Sequence, residues 1–251
     1  MENSQYSDSI IIPDWPAPNN VRAFSSTRLG GKSTVPYDSL NLGGHVGDDP
    51  ESVHSNRQRF MKQTSMPETL RWLQQVHGTS VVEWPSAQQG DIEADAAYSR
   101  VTHQVCAVMT ADCLPILFCN AKGTEVAACH AGWRGLCAGV IEATLAKFSL
   151  LDDVLVWLGP AIGPQKFEVG AEVRSAFMTH DPQAKHAFVP LETADKWLAN
   201  LYLLARQRLV KQGVKQIYGG DFCTYTDTQR FFSYRRDKDT GRMATSIWLV
   251  E

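Results

Sequence analysis

Val126-Ala127-Ala128-Cys129-His130-Ala131-Gly132-Trp133-Arg134-Gly135 runs from an apolar stretch of small side chains into a polar, glycine-bearing turn. Residues 125–130 read as a buried strand. Alternation sends Val126, Ala128 and His130 to one face and Ala127 and Cys129 to the other. His130 therefore ends a strand, where a polar side chain reaches a cleft, and it does not share a site with Cys129. Beyond the glycines, Cys137, Val140, Ile141, Thr144, Leu145 and Phe148 recur at helical spacing, which predicts an amphipathic helix over 137–148. A helix start at this turn offers unpaired N–H groups to an anion, and Arg134 adds a bidentate clamp.

Outward from this unit, apolar runs predict strands at 21–26, 70–77, 105–110, 114–119, 154–158, 214–218, 231–234 and 245–250. Acidic residues and Pro50 mark a helix over 48–63. A second helix is expected over 196–212, with Asp195 as N-cap and Gly213 as stop. The segment 28–47 is long for a turn, and loops of that length are often functional. Strands outnumber helices and often follow one another, so the fold class is α+β.

Composition narrows the function. The 251 residues carry a formal net charge of -3, 43% hydrophobic and 20% charged side chains. That balance argues against disorder and against a basic nucleic-acid surface. No apolar run approaches the roughly 18 residues of a membrane span, and the first residues lack a basic export signal. With six cysteines and no C-x-x-C pair, a cytoplasmic protein with reduced thiols is expected.

Three motifs gather reactive side chains between apolar strands: Gln75-Val76-His77-Gly78, Thr110-Ala111-Asp112-Cys113-Leu114-Pro115, and Cys129 to Gly135. His77, Cys113 and His130 make an N, S, N donor set. Three protein ligands with a fourth position open suit a catalytic zinc site, with copper as a competitor. The rival chemistry is a Cys113 nucleophile with His130 as base. The plainer alternative is a small buried thiol and two histidines bonded to local backbone. That plain role is assigned to Cys106, Cys119, Cys129 and Cys137. Asn41, Gly43, His45 and Asp48 either line a pocket or serve turn chemistry. Arg57 falls on the 48–63 helix. Arg235, Arg236, Lys238 and Arg242 either bind phosphate or form a solvated hairpin.

Asn41-Leu42-Gly43, Gln75-Val76-His77-Gly78, Ala111-Asp112-Cys113-Leu114-Pro115, His130-Ala131-Gly132-Trp133-Arg134-Gly135, Gly159-Pro160-Ala161-Ile162-Gly163 and Phe167-Glu168-Val169-Gly170 occur in that order. Together they resemble the bacterial YfiH family, also called the laccase-domain or polyphenol oxidase family, over nearly the whole chain. The resemblance implies one α+β domain spanning 1–251, with layered mixed sheets flanked by helices and grouped with cysteine-hydrolase-like folds. It implies zinc on His77, Cys113 and His130. It also implies phosphorolysis of adenosine, inosine, guanosine and methylthioadenosine, and deamination of adenosine. The expected partners are thus a purine nucleoside and phosphate. Asp112 or Glu168 would shuttle the proton, and Arg134, with Arg57 and Asn41 behind it, would hold the anion.

The same resemblance brings alternatives. One is amidase-type editing of peptidoglycan precursors, another copper-dependent oxidation of phenols. The seven histidines include no H-x-H pair, which argues against a multicopper cluster. Neither H-x-E nor C-x-x-C occurs, so a deaminase here differs from the zinc nucleobase deaminases. A non-enzymatic metabolite-binding protein would need a fourth protein ligand to close the site, and no nearby His or Cys supplies one.

Overall fold

The strand quoted above, Val126–Ala131, lies inside a six-stranded sheet. In the computed structural model, which describes residues 8–87, 90 and 92–251, that sheet runs Gln216–Gly219, Val154–Leu158, Leu114–Asn120, Val126–Ala131, Ala96–Ser99, Val81–Trp84. Part of the sequence read as lacking an export signal, residues 1–7, lies outside the described residues. The sheet is mixed, with parallel pairing at both edges and antiparallel pairing between. A second, antiparallel sheet orders Ile10–Ile11, Val21–Ser26, Met243–Leu249 and Cys106–Thr110.

The helices are α1 (Pro50–Thr64), α2 (Trp133–Ala138), α3 (Val140–Leu145), α4 (Ala171–His180), α5 (Leu201–Lys211) and α6 (Tyr234–Asp237). Strand alternation sorts the core into layers. Ala127, Cys129 and Ala131 pack with Ile141, Leu145, Phe177 and Leu204 from the helices α3 to α5. On the opposite face, Val126 and Ala128 join Val21, Val108 and Ile247 of the second sheet. The outer side of that sheet, through Phe24, Met109 and Trp248, packs on Phe60 of α1 and on Leu40 and Leu42. The result is four layers: helices, six-stranded sheet, four-stranded sheet, and α1 with its preceding loop. The expected layered α+β architecture is present. No helix among the described residues is long and apolar enough to cross a membrane.

Several local expectations are corrected. The helix expected over 137–148 is broken by Gly139, whose φ of 106° no helix continues through, so α2 ends and α3 begins there. Its apolar positions are nonetheless all buried. Residues 196–212 divide into a strand, Lys196–Ala199, and α5. Asn200, not Asp195, is the cap, because its side chain accepts from Leu203 N at 2.9 Å. In the run 231–234, Phe231 and Phe232 are buried without pairing, since Ser233 caps α6. Only Leu73–Gln74 of the run 70–77 is a strand, because the rest bends into a loop.

Candidate metal centre

Each motif supplies one donor and the means of aiming it. Gln75 lies in the loop after Leu73–Gln74 and bonds both backbone groups of Met109: Nε2 donates to its carbonyl at 2.8 Å and Oε1 accepts from its N–H at 2.7 Å. That clamp ties the loop to the strand leading to Cys113. Two residues on, His77 takes a left-handed backbone, φ 61°. A non-glycine residue holds such a conformation only when its surroundings impose it.

Asp95 imposes it. Its carboxylate is fully buried and accepts from the N–H groups of Val76, His77 and Gly78 at 3.2, 2.9 and 2.6 Å. The same carboxylate stands 2.8 Å from His130 Nδ1. With Nδ1–H donated to Asp95, His130 presents Nε2 to the site, as metal-ligating histidines do. One carboxylate therefore orients two of the three donors. Burial works against its charge, but the His130 bond and the loop N–H groups outweigh it and hold the carboxyl below its ordinary value.

The three donor atoms of His77, Cys113 and His130 lie within 4.8 Å of one another. Cys113 Sγ is 3.7 Å from His77 Nε2, close to the edge of about 3.6 Å that tetrahedral zinc with ordinary Zn–S and Zn–N bonds requires. The His77 and His130 rings meet edge-on at 4.8 Å. His130 is buried, Cys113 half-buried and His77 exposed, so the group opens on one side. Gly132 closes another side. A Cβ there would lie 2.7 Å from His77 Cδ2 and 3.0 Å from Cys113 Sγ. Gly135 does the same for the loop, since its Cβ would meet the Gly78 carbonyl at 2.7 Å. The donor set fits a borderline-soft metal ion such as zinc or copper.

Burial alone would push the Cys113 thiol up, but the His130 charge and hydrogen bonds from His130 and His77 bring it well below the usual thiol value. His130 is correspondingly raised: burial opposes its charge, while Cys113 and Asp95 favour it more strongly. Cys106, Cys119, Cys129 and Cys137 are buried with thiols pushed up, as structural cysteines should be.

Four residues expected at the chemistry do other work. Asp112, with φ 87°, spends its carboxylate on Thr224 Oγ1 at 2.6 Å, Ser233 Oγ at 3.0 Å and Arg235 N at 2.6 Å. It anchors the C-terminal segment and is not placed as a proton shuttle. Glu168 pairs with Lys196 at 3.4 Å on the surface and stands apart from the metal-ligand group. Arg134 is exposed, with its guanidinium over the Trp133 ring at 4.4 Å. Asn41 is fully buried: Oδ1 accepts from Gly43 N and Arg242 N, and Nδ2 donates to Asp48 and Gly43. It shapes its loop and has nothing left for a ligand. Arg57 reaches the same loop, donating from Nε to the Leu42 carbonyl at 2.9 Å.

Asp95 escaped the sequence reading. Its signal was a single carboxylate inside the apolar run Ala94-Asp95-Ala96-Ala97-Tyr98, where an unpaired charge would not be tolerated.

The chain matches the family described as multi-copper polyphenol oxidoreductase laccase over residues 22–250. It is 57% identical to the purine nucleoside phosphorylase YfiH of Escherichia coli (strain K12), over 96% of this chain and 99% of that protein. It is 52% identical to a purine nucleoside phosphorylase of Pseudomonas aeruginosa, over 96% and 98%. A crystal structure of a Neisseria meningitidis protein superposes with a TM-score of 0.93 at 48% identity, covering 97% of this chain and all of that one.

Proposed function

The chain belongs to the YfiH family, and from that premise we propose that it is a zinc-dependent purine nucleoside phosphorylase that also deaminates adenosine. The names of its relatives support the phosphorylase class. The observation carrying the metal dependence is the His77–Cys113–His130 group, aimed by Asp95 and open on one side.

His77, Cys113 and His130 would hold a zinc ion, which would supply Lewis acidity and lower the pKa of a bound water. The protein's own residues do the rest. Asp95 keeps the His130 proton on Nδ1, which frees Nε2, and it locks the His77 turn. Gly132 lets the start of α2 press on His77 and Cys113. Asp112 fixes the backbone directly before Cys113. A multicopper array finds no ligand set, because the one metal-binding group among the described residues has three donors.

A second reading rests on the depressed Cys113 thiol beside His130: an amidase whose nucleophile is the thiolate. Cys113 cannot both ligate zinc and attack a carbonyl, so metal content separates the two.

The test incubates zinc-loaded protein with adenosine, with and without phosphate, and resolves products by mass spectrometry. Adenine and ribose 1-phosphate should form only with phosphate, and inosine in either case. Cys113→Ala should lose both activities together with its zinc. Full turnover in that variant would remove the triad from the mechanism, and no product from the wild type would remove the nucleoside as substrate.

A further inference from the structure

Arg57 and Arg242 meet at one loop, and neither has a carboxylate at ion-pair distance among the described residues. Elsewhere Arg28, Arg100, Arg208, Arg230 and Arg236 each face an acidic partner. Neither Arg57 nor Arg242 has an ion pair among the described residues, and both are half-buried. Withdrawing a cation from water without an ion pair is costly, and two such groups at one loop favour an anion between them.

The two are held in place through their stems and one edge, which leaves the remaining N–H groups free. Arg57 donates from Nε to the Leu42 carbonyl and lies over the Trp72 ring at 4.5 Å, while its terminal nitrogens have no partner among the described residues. Arg242 is zipped to the same loop: its N–H donates to Asn41 Oδ1 at 2.9 Å, and its carbonyl accepts from Leu42 N at 3.1 Å. One terminal nitrogen, Nη1, bonds the carbonyls of Thr240 and Gly241. The loop between them has no side chain in the way. A Cβ on Gly43 would lie 2.8 Å from Arg242 Cγ, and one on Gly44 would lie 3.5 Å from Arg57 Nη2.

His45 follows directly. Gly43 faces Arg242 and Gly44 faces Arg57, so the next residue lies beside both; desolvation, then the charges of Arg242 and Arg57, hold its ring below the ordinary imidazole value. Arg242 directly precedes Met243, which pairs with Thr110, three residues before Cys113. The cationic cradle therefore borders the metal centre.

We propose that Arg57, Arg242 and His45 form the subsite for a phosphate oxyanion beside the metal centre, filled by inorganic phosphate as co-substrate. This rests on the phosphorolysis reading. In that reaction a phosphate oxygen bonds to C1′ of the ribose while the C1′–N9 bond breaks. The bonding pair leaves with the purine, and the proton of the phosphate ends on the base. Two guanidinium groups and an imidazole hold the attacking oxyanion in place. The same cradle chemistry would also accept the 5′-phosphate of a nucleotide, and the experiment separates these sources.

Zinc-loaded wild type, Arg57→Gln, Arg242→Gln and His45→Ala are titrated calorimetrically with inorganic phosphate and, separately, with adenosine 5′-monophosphate. Phosphate KM, adenosine KM and phosphate-independent deamination are measured on the same samples. Loss of a charge-assisted bond should raise the phosphate Kd and KM by about 10–100-fold for each arginine, with the adenosine KM and deamination held within about twofold. His45→Ala removes an exposed ring with no hydrogen bond among the described residues, and surface substitutions of this kind change stability little. Variants that keep the wild-type phosphate KM overturn the subsite. Wild type that binds the nucleotide but not inorganic phosphate overturns the co-substrate assignment. Wild type that binds phosphate through these residues yet makes no ribose 1-phosphate leaves the subsite standing and refutes phosphorolysis instead.

Discussion

Asp95 aims two of the three candidate metal donors without being one itself. Its two oxygens serve three backbone N–H groups of the 76–78 turn and the ring of His130. Carboxylates in this position typically govern metal affinity by about 10–100-fold, so Asp95→Ala should raise the zinc dissociation constant by about that factor, read by competition with a chromophoric chelator. Asp95→Asn should rescue little, because its amide would turn N–H groups toward the N–H groups of the turn. An unchanged zinc affinity in both variants would mean that His77 and His130 hold their aim without it. At this scale the sequence offered the three residues as candidates, since each lies in a motif of reactive residues beside an apolar strand, and the family resemblance singled them out as a ligand set. Asp95 was not, because its partners are backbone groups and a ring 35 positions away. Asp112 misled for a related reason: adjacency to Cys113 suggested chemistry, while its carboxylate turns to Thr224, Ser233 and Arg235 N.

The elements were legible where one face is apolar and the period is unbroken. Val21–Ser26 and Val154–Leu158 fall where alternation and composition place them. Boundaries failed where a single residue overrides the period, as Gly139 does between α2 and α3, or where a strand and a helix abut, as at Asn200. Glycine at 135 has a different purpose. It sits in the first turn of α2 with its α-carbon facing the Gly78 carbonyl, which brings the helix against the His77 turn. The methyl of Gly135→Ala has nowhere to go, since the neighbour is backbone on one side and helix on the other. Overpacking of this kind destabilises by about 1–3 kcal/mol, which a urea titration would resolve. Zinc should dissociate more readily from the same variant, because the strain is relieved by moving the 76–78 turn. A variant as stable as wild type and with wild-type zinc retention would show that α2 has room to retreat.

The four layers are closed by apolar contacts to which none of the three donors belongs, so the molecule is expected to fold without a metal. A metal on these donors would nonetheless join three separate pieces of chain: the loop at His77, the start of the Leu114–Asn120 strand, and the end of the Val126–Ala131 strand. An ion that binds this arrangement and not the unfolded chain adds stability by mass action, about 2.7 kcal/mol at a hundredfold excess over its dissociation constant. For a chain of this size that corresponds to a rise in melting temperature of about 5–10 °C. Chelation of the zinc-loaded protein should therefore lower the melting point by that amount while leaving a single cooperative transition at the lower temperature. Cys113→Ala, lacking one donor, should melt at one temperature with or without chelator. The comparison isolates the metal from the thiol, because loss of Cys113 packing would shift both of the variant's melts alike, whereas loss of the ion removes the difference between them. Equal melting points for wild type with and without chelator would mean that the three donors, however well aimed, do not hold zinc in the folded chain.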